Sequence, residues 1–289
     1  MSAHFFEPDT AGPNPAGEPP ARLGGARRLA GYLRLWFGLL SCGVLFLGWC
    51  GIAAVISPLY GATRRRQIGR LGLNRLFRIY LHLLCRMGIV KVDSDALQSL
   101  RNEPSLILAP NHPSMMDAIL VISRLENVGC IMKAELWDNI FLGAGARMAD
   151  FIRNDSPHSM IRLAVQDLAR GSQLLVFPEA TRTIRHPVNP LAGGYALIAK
   201  KANAPVQTIL IETDSPYLRK GWPLFRLPPM PIRFRLRLGR RFEPHDDVDS
   251  LVADMEQYFI RELGDAASAF DAAGATAQPG SQPAARRAA

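Results

Sequence analysis

Residues 105–117 read SLILAPNHPSMMD, and the change of pattern within this stretch sets the fold. Positions 105–110 form a short apolar strand, and residues 117–126 carry the apolar spacing of a helix. The same alternation continues outward. Strands are predicted at 128–133, 173–177 and 206–212, and helices at 157–170, 194–202 and 248–263. Short strands alternating with helices indicate an α/β domain built on a mixed, largely parallel sheet. A last strand over 232–238 places Ile232, Phe234, Leu236 and Leu238 on one face and Arg233, Arg235 and Arg237 on the other. The apolar face must be buried. The arginine face is expected to meet anionic headgroups or an acidic carrier protein.

Ahead of this domain lies WFGLLSCGVLFLGWCGIAAVIS, residues 36–57, with no charge. About 20 apolar residues suffice to cross the hydrocarbon core of a bilayer. The run exceeds the usual ~7–15 residue core of a signal peptide, so an N-terminal membrane helix is expected. Arg22, Arg27, Arg28 and Arg34 precede it, and Arg64, Arg65, Arg66, Arg70, Arg75 and Arg78 follow it. The larger cluster favours the cytoplasm for the C-terminal side, while charge at both ends also suits a helical hairpin that returns on one face. Residues 68–90 carry apolar side chains at helical spacing with Arg opposite, the pattern of an interfacial amphipathic helix. The expected organisation is a disordered tail at 1–30, membrane-associated helices at 31–90, an α/β domain at 91–263 and a second disordered tail at 264–289.

The 289-residue chain carries a net charge of +9, and only five of its 34 basic residues are Lys. No zinc-finger, RNA-binding or basic-zipper pattern accompanies that charge, so no nucleic-acid partner is expected. Cys42, Cys50, Cys85 and Cys130 form no CxxC pair, which argues against a disulfide framework or a structural zinc. No metal site is expected.

His112 stands where a strand ends and a helix begins, the usual position of ligands in an α/β sheet. A histidine is the common general base near neutral pH, and a carboxylate can hold its second ring nitrogen as a donor. On one continuous helix, positions 112 and 117 would point ~140° apart. Pro113 breaks that continuity and lets the His112 and Asp117 side chains turn toward each other. Spacing alone is weak, since His4 and Asp9 match it too. A second candidate segment, FPEATRT at 177–183, also follows an apolar strand. Glu179 suits an acceptor hydroxyl and Arg182 a phosphate, because guanidinium matches phosphate oxygens bidentately. His82, His158, His186 and His245 have no placed partner.

The NHPSMMD and FPEATRT segments resemble the NHxSxxD and FPEGTRS motifs of the glycerolipid acyltransferase family. In order between and after them, Lys133-Ala134-Glu135-Leu136 resembles the KxEL segment, Phe151-Ile152-Arg153 the FIxR segment, and Ala204-Pro205-Val206 the last motif. The resemblance covers roughly residues 75–245. It implies acyl transfer from acyl-CoA or acyl-carrier protein to the hydroxyl of a lysolipid acceptor, with 1-acylglycerol-3-phosphate going to phosphatidate. His112 would act as base and Asp117 would orient it. Glu179 and Thr181 would bind the acceptor, and Arg182, with Lys133 and Arg153, its phosphate. No cofactor is implied beyond the thioester co-substrate. Membrane lipids are the expected partners, and the expected location is the cell inner membrane with the catalytic domain on the cytoplasmic side. Two departures stand out: Ala180 replaces the usual Gly of FPEGTR, and the Gly expected shortly before FIxR is missing around 148–150. They leave open the same chemistry on a lyso-aminolipid, glycolipid or pigment hydroxyl. A membrane lipid-binding protein without catalysis is the remaining alternative.

Overall fold

A computed structural model describes residues 25–139 and 143–275, with side chains through 264. Its elements are α1 (Gly25–Ile56), α2 (Ala62–Arg86), β1 (Val90–Asp93), β2 (Ile107–Pro110), α3 (Asp117–Ile122), β3 (Val128–Lys133), α4 (Ala134–Asp138) and α5 (Gly143–Met148), followed by β4 (Ile152–Asn154), α6 (Pro157–Ala169), β5 (Gln173–Leu175), α7 (Gly194–Ala202), β6 (Val206–Thr213), β7 (Ile232–Phe242) and α8 (Val248–Ala275). Helix therefore runs into both expected tails, from Gly25 and as far as Ala275. The rest of each tail lies outside the described residues.

The strands form one seven-stranded sheet in the order β1-β7-β6-β2-β5-β3-β4. From β6 to β4 every neighbour is parallel, whereas β7 runs antiparallel to β6 and β1 parallel to β7. The mixed, largely parallel α/β sheet is thus present. Its parallel part brings the C-terminal ends of β2, β5, β3 and β4 to one edge. β2 is buried at every position because both faces are covered. One face packs on α2 and α3, and the other on α6, α7 and α8.

Helix α2 corrects the interfacial reading of residues 68–90. Leu73, Phe77, Tyr80, Leu81 and Leu84 are all buried in the larger core cluster. The helical period revealed an apolar face, and the sheet rather than a bilayer covers it. Arg70, counted by sequence among the flanking charges, is only 2% exposed. It donates to Asp167 Oδ2 at 2.7 Å, Ser172 Oγ at 2.7 Å, Asn127 Oδ1 at 3.0 Å and the Ala149 carbonyl at 3.1 Å. Arg66 reaches the other Asp167 oxygen at 3.3 Å. One buried ion pair with full hydrogen bonding thereby ties α2 to the start of β5 and the end of α6.

Helix α1 packs along this body rather than away from it. Gly31 meets Leu227, and Gly38 meets Leu84 and Ile89. Further on, the Trp49 ring fills a slot between Gly72 of α2 and Gly145 of α5. A Cβ at Gly72 would lie 1.9 Å from that ring, and one at Gly145 2.7 Å from it. The opposite side of α1 exposes Leu29, Leu33, Trp36, Leu40, Val44, Leu47 and Val55. From Leu29 to Leu47 these positions recur at three- and four-residue steps, with Val55 two turns further on, and so make one apolar stripe.

The arginine face of β7 also departs from expectation. Arg233 faces Asp214 at 3.8 Å, Arg235 faces Asp93 at 3.7 Å, and Arg237 donates to Glu212 at 2.9 Å. A cross-strand charge ladder replaces the expected basic plane.

Candidate active site

β2 ends at Pro110, and the buried Asn111 carries its pairing one residue further. Its Nδ2 donates to the Ile211 carbonyl at 2.9 Å, and its Oδ1 accepts from the Ile211 N–H at 2.7 Å. That amide clamp on β6 fixes where the chain leaves the sheet. Pro113 then turns it, and Asp117 becomes the first residue of α3.

His112 and Asp117 meet across the turn that Pro113 makes. His112 Nδ1 lies 2.8 Å from Asp117 Oδ2, which also accepts the Ser114 N–H at 2.8 Å. With the carboxylate as acceptor, Nδ1 carries the proton and Nε2 keeps its lone pair. The His112 side chain is 18% exposed and Asp117 fully buried. The imidazole also stacks on the Phe177 ring, with centroids 3.8 Å apart and planes inclined by 20°. Burial pushes the Asp117 carboxyl up to about 6, against the hydrogen bond and charge of His112, which pull it down.

Glu179 is not presented to an acceptor. It is 4% exposed, and its Oε1 accepts from the His112 N–H at 2.7 Å and the Thr183 hydroxyl at 2.8 Å. Its Oε2 accepts the Asn189 N–H at 2.9 Å. Three protein donors consume the carboxylate, so it binds the His112 backbone to the loop after β5. Thr183 closes the same link, its N–H donating to the His112 carbonyl at 2.7 Å. Burial raises the Glu179 carboxyl, and those donors oppose the shift.

Arg182 does face the site region, and it is partly committed. Its Nη1 donates to the carbonyls of Leu218 at 2.9 Å and Arg219 at 3.1 Å, which leaves Nε and Nη2 for another acceptor. Thr181, half-buried, lies between Ala180 and Arg182 on the same loop. Lys133 ends β3 and is exposed, two strand spacings or roughly 10 Å from β2. Arg153 is on β4, one spacing further, and donates to Asp138 at 2.6 Å while pairing with Asp155 at 3.0 Å. The structure brings His112, Asp117, Glu179 and Arg182 together, sets Lys133 along the same edge, and leaves Arg153 outside with its charge answered.

Both departures from the family motifs fall at left-handed backbone. Ala180 has φ 54° and Asp150 φ 58°. These are conformations that glycine adopts without steric cost. Ala180 is exposed, on the loop that carries Glu179 and Arg182.

Sequence reasoning missed the stacking of Phe177 and the role of Asn189. The Asn189 side chain accepts the Ile184 and Arg185 N–H groups at 3.0 Å each and donates to the Arg182 carbonyl at 3.1 Å. Its place in the run His186-Pro187-Val188-Asn189-Pro190 was a turn signal, though not a sign of this task. The loop after β6 was missed as well. The Leu218 carbonyl accepts the Met115 N–H at 3.2 Å, and the Tyr217 carbonyl accepts from the Ser114 hydroxyl at 3.4 Å.

Known proteins resemble this chain in sequence and in fold. Residues 91–212 match the family model described as Acyltransferase. The chain is 25% identical over 201 residues to a 1-acyl-sn-glycerol-3-phosphate acyltransferase of Limnanthes alba, covering 65% of this chain and 70% of that protein. Its fold resembles the crystal structure of the 1-acyl-sn-glycerophosphate (LPA) acyltransferase PlsC from Thermotoga maritima. The TM-score is 0.64 at 20% identity, over 83% of this chain and 96% of that one. Motif series, matched domain and relative point the same way: the chain carries an Acyltransferase domain similar to those of glycerolipid acyltransferases and is an O-acyltransferase.

Proposed function

We propose that this enzyme moves a fatty acyl group from acyl-CoA or acyl-carrier protein to the free hydroxyl of 1-acylglycerol-3-phosphate, forming phosphatidate. The observation that carries the reading is the partly exposed His112 imidazole, held by Asp117 at Nδ1 and stacked on Phe177. Nε2 takes the hydroxyl proton as the oxygen attacks the thioester carbonyl. Collapse of the tetrahedral adduct expels the thiolate, which takes up the proton. Asp117 holds the tautomer and offsets the imidazolium that forms. The free guanidinium N–H groups of Arg182, with Lys133 further along the edge, are suited to the phosphate. Glu179 acts by positioning His112 and not by binding the acceptor.

The seat of α1 favours a hairpin on one membrane face. A helix packed on the domain from Gly31 to Ala53 has one side left for lipid, and the arginines at both of its ends can then stay in the same aqueous phase. We place the protein at the cell inner membrane with its catalytic domain on the cytoplasmic side.

The test is lipid analysis after incubating membranes that carry the enzyme with labelled acyl donor and a panel of lysolipids. Labelled phosphatidate, absent with the His112→Ala protein, is expected. Label confined to a non-phosphorylated product would sink the phosphatidate assignment.

Ala180 supports a second reading, the same chemistry on an acceptor without phosphate. It stands two residues before Arg182 on the same loop, and methyl-scale discrimination between substrates is about 10–200-fold. Ala180→Gly should raise the specificity constant for lysophosphatidate, and Arg182→Ala should lower it relative to an uncharged acceptor. An Arg182→Ala enzyme whose ratio of the two constants is unchanged would make the second reading the better one.

A further inference from the structure

The stretch between β6 and β7, residues 214–231, does more than link two strands. At its near end it holds the site, since the carbonyls of Tyr217, Leu218 and Arg219 take hydrogen bonds from Ser114, Met115 and Arg182. At its far end it carries apolar side chains into the open. Phe225 is 58% exposed and Leu224 42%. The Phe225 ring stacks on Trp36 of α1, with centroids 5.1 Å apart, and Leu227 packs against Gly31. The tip therefore continues the exposed stripe of Leu33, Trp36 and Leu40 sideways, onto the end of the domain that bears His112.

Charge narrows the choice of what covers this surface. Between Ser215 and Ile232 there is no acidic residue, while Arg219, Lys220 and Arg226 are all basic. Arg226 lies over the Trp222 ring at 4.8 Å. From Gly25 to Leu59, α1 and the turn after it also lack an acid and carry Arg27, Arg28 and Arg34. An apolar tip ringed by cations and aromatics, with no countercharge, complements an anionic bilayer surface. Aromatic rings settle at headgroup level, and basic residues are drawn to anionic lipid. A protein partner with a mixed surface would leave these charges unanswered.

We propose that the 214–231 loop is a second membrane-seating element, inserting Leu224 and Phe225 among anionic lipids. Through its three carbonyls it sets Arg182 and residues 114–115 against the surface from which a lysolipid enters. The proposal rests on the bilayer reading of α1 given above. It differs in assigning membrane contact to a loop that also shapes the acceptor side of the site.

The experiment uses the full chain and flotation with two vesicle types, phosphatidylcholine alone and phosphatidylcholine containing phosphatidylglycerol. Leu224→Ser with Phe225→Ser should weaken binding to anionic vesicles roughly tenfold, the scale of losing two partly inserted apolar side chains. Lys220→Gln with Arg226→Gln should weaken anionic-vesicle binding roughly tenfold and leave phosphatidylcholine binding alone. This charge pair is exposed, so it tests the surface even if the apolar pair fails to fold. Turnover of a monodisperse short-chain lysophosphatidate should stay within about twofold of the parent in both. Unchanged binding in both pairs overturns the proposal. A change of oligomeric state with Leu224→Ser and Phe225→Ser overturns it too, because the tip would then cover a second copy. A control arm with Leu40→Ser and Val44→Ser separates the two readings. Loss of binding there, with none in the loop variants, removes only the loop, whereas no loss in any variant removes the membrane reading of α1 as well.

Discussion

His112→Ala should lower turnover at least ~100-fold, the lower range for loss of a general base, while expression, folding and membrane association stay unchanged. The side chain is partly exposed, stacks on Phe177 and makes a single side-chain hydrogen bond, so removing it leaves no buried charge except Asp117. Asp117→Asn should also impair turnover, because an amide no longer requires the Nδ1–H tautomer. Its effect on stability should run the other way. The folded protein holds the Asp117 carboxyl at about 6, above the ordinary 3.8, through burial. The fold therefore favours the neutral acid, and that contribution is full below pH ~3.8 and lost as pH rises through about 6. At neutral pH an uncharged Asn should cost no thermal stability. Activity needs the carboxylate, so the parent enzyme should lose turnover as pH falls below about 6. Near-normal turnover of His112→Ala in a purified-enzyme assay would end this mechanism.

The largest stability effect is expected at Arg70. Arg70→Ala leaves Asp167 in the interior with only Ser172 and Arg66, whose side chain is 12% exposed, as partners among the described residues. Removing one member of a buried pair costs about 3–5 kcal/mol. For a domain of this size that is a fall in Tm of roughly 6–20 °C. Replacing both members, Arg70→Met with Asp167→Leu, should recover much of the loss, since apolar side chains of similar volume leave no uncompensated charge. Calorimetry of the single and double variants measures this. Equal destabilisation in both would mean that the hydrogen bonds of Arg70 to Ala149, Asn127 and Ser172, and not the uncompensated charge, are what α2 depends on.

The parts of the fold that sequence made legible are those where local pattern and tertiary environment agree. β3 and α7 fall where the apolar runs placed them. β1 and β4 went unseen because each is short, with only alternate residues buried on an edge strand. Period could show that residues 68–90 own an apolar face, but not whether a sheet or a bilayer covers it. Period was equally silent about Arg70, whose acid lies 97 positions away. The arginines of β7 looked unanswered for the same reason, since Asp93, Asp214 and Glu212 come from other parts of the chain. Within the site, the His112–Asp117 contact was readable because both residues sit on one turn. Glu179 was misassigned because a motif names a residue type, not whether water or three backbone and hydroxyl donors surround it.

The left-handed backbone at Ala180 and Asp150 has a consequence at the level of the gene. Every alanine codon differs from a glycine codon by one base, and so does every aspartate codon. At both sites the residue that suits the conformation without strain lies a single point mutation away. The strain relieved would be of the order of 1 kcal/mol at the alanine and less at the aspartate, whose short polar side chain tolerates this region better. Random mutagenesis of this gene, screened for heat-resistant turnover, should therefore return glycine at 180 early and repeatedly. Glycine at 150 should appear less often. Because position 180 lies on the loop that reaches His112 and position 150 does not, the two glycine variants separate what the backbone gains from what the site notices.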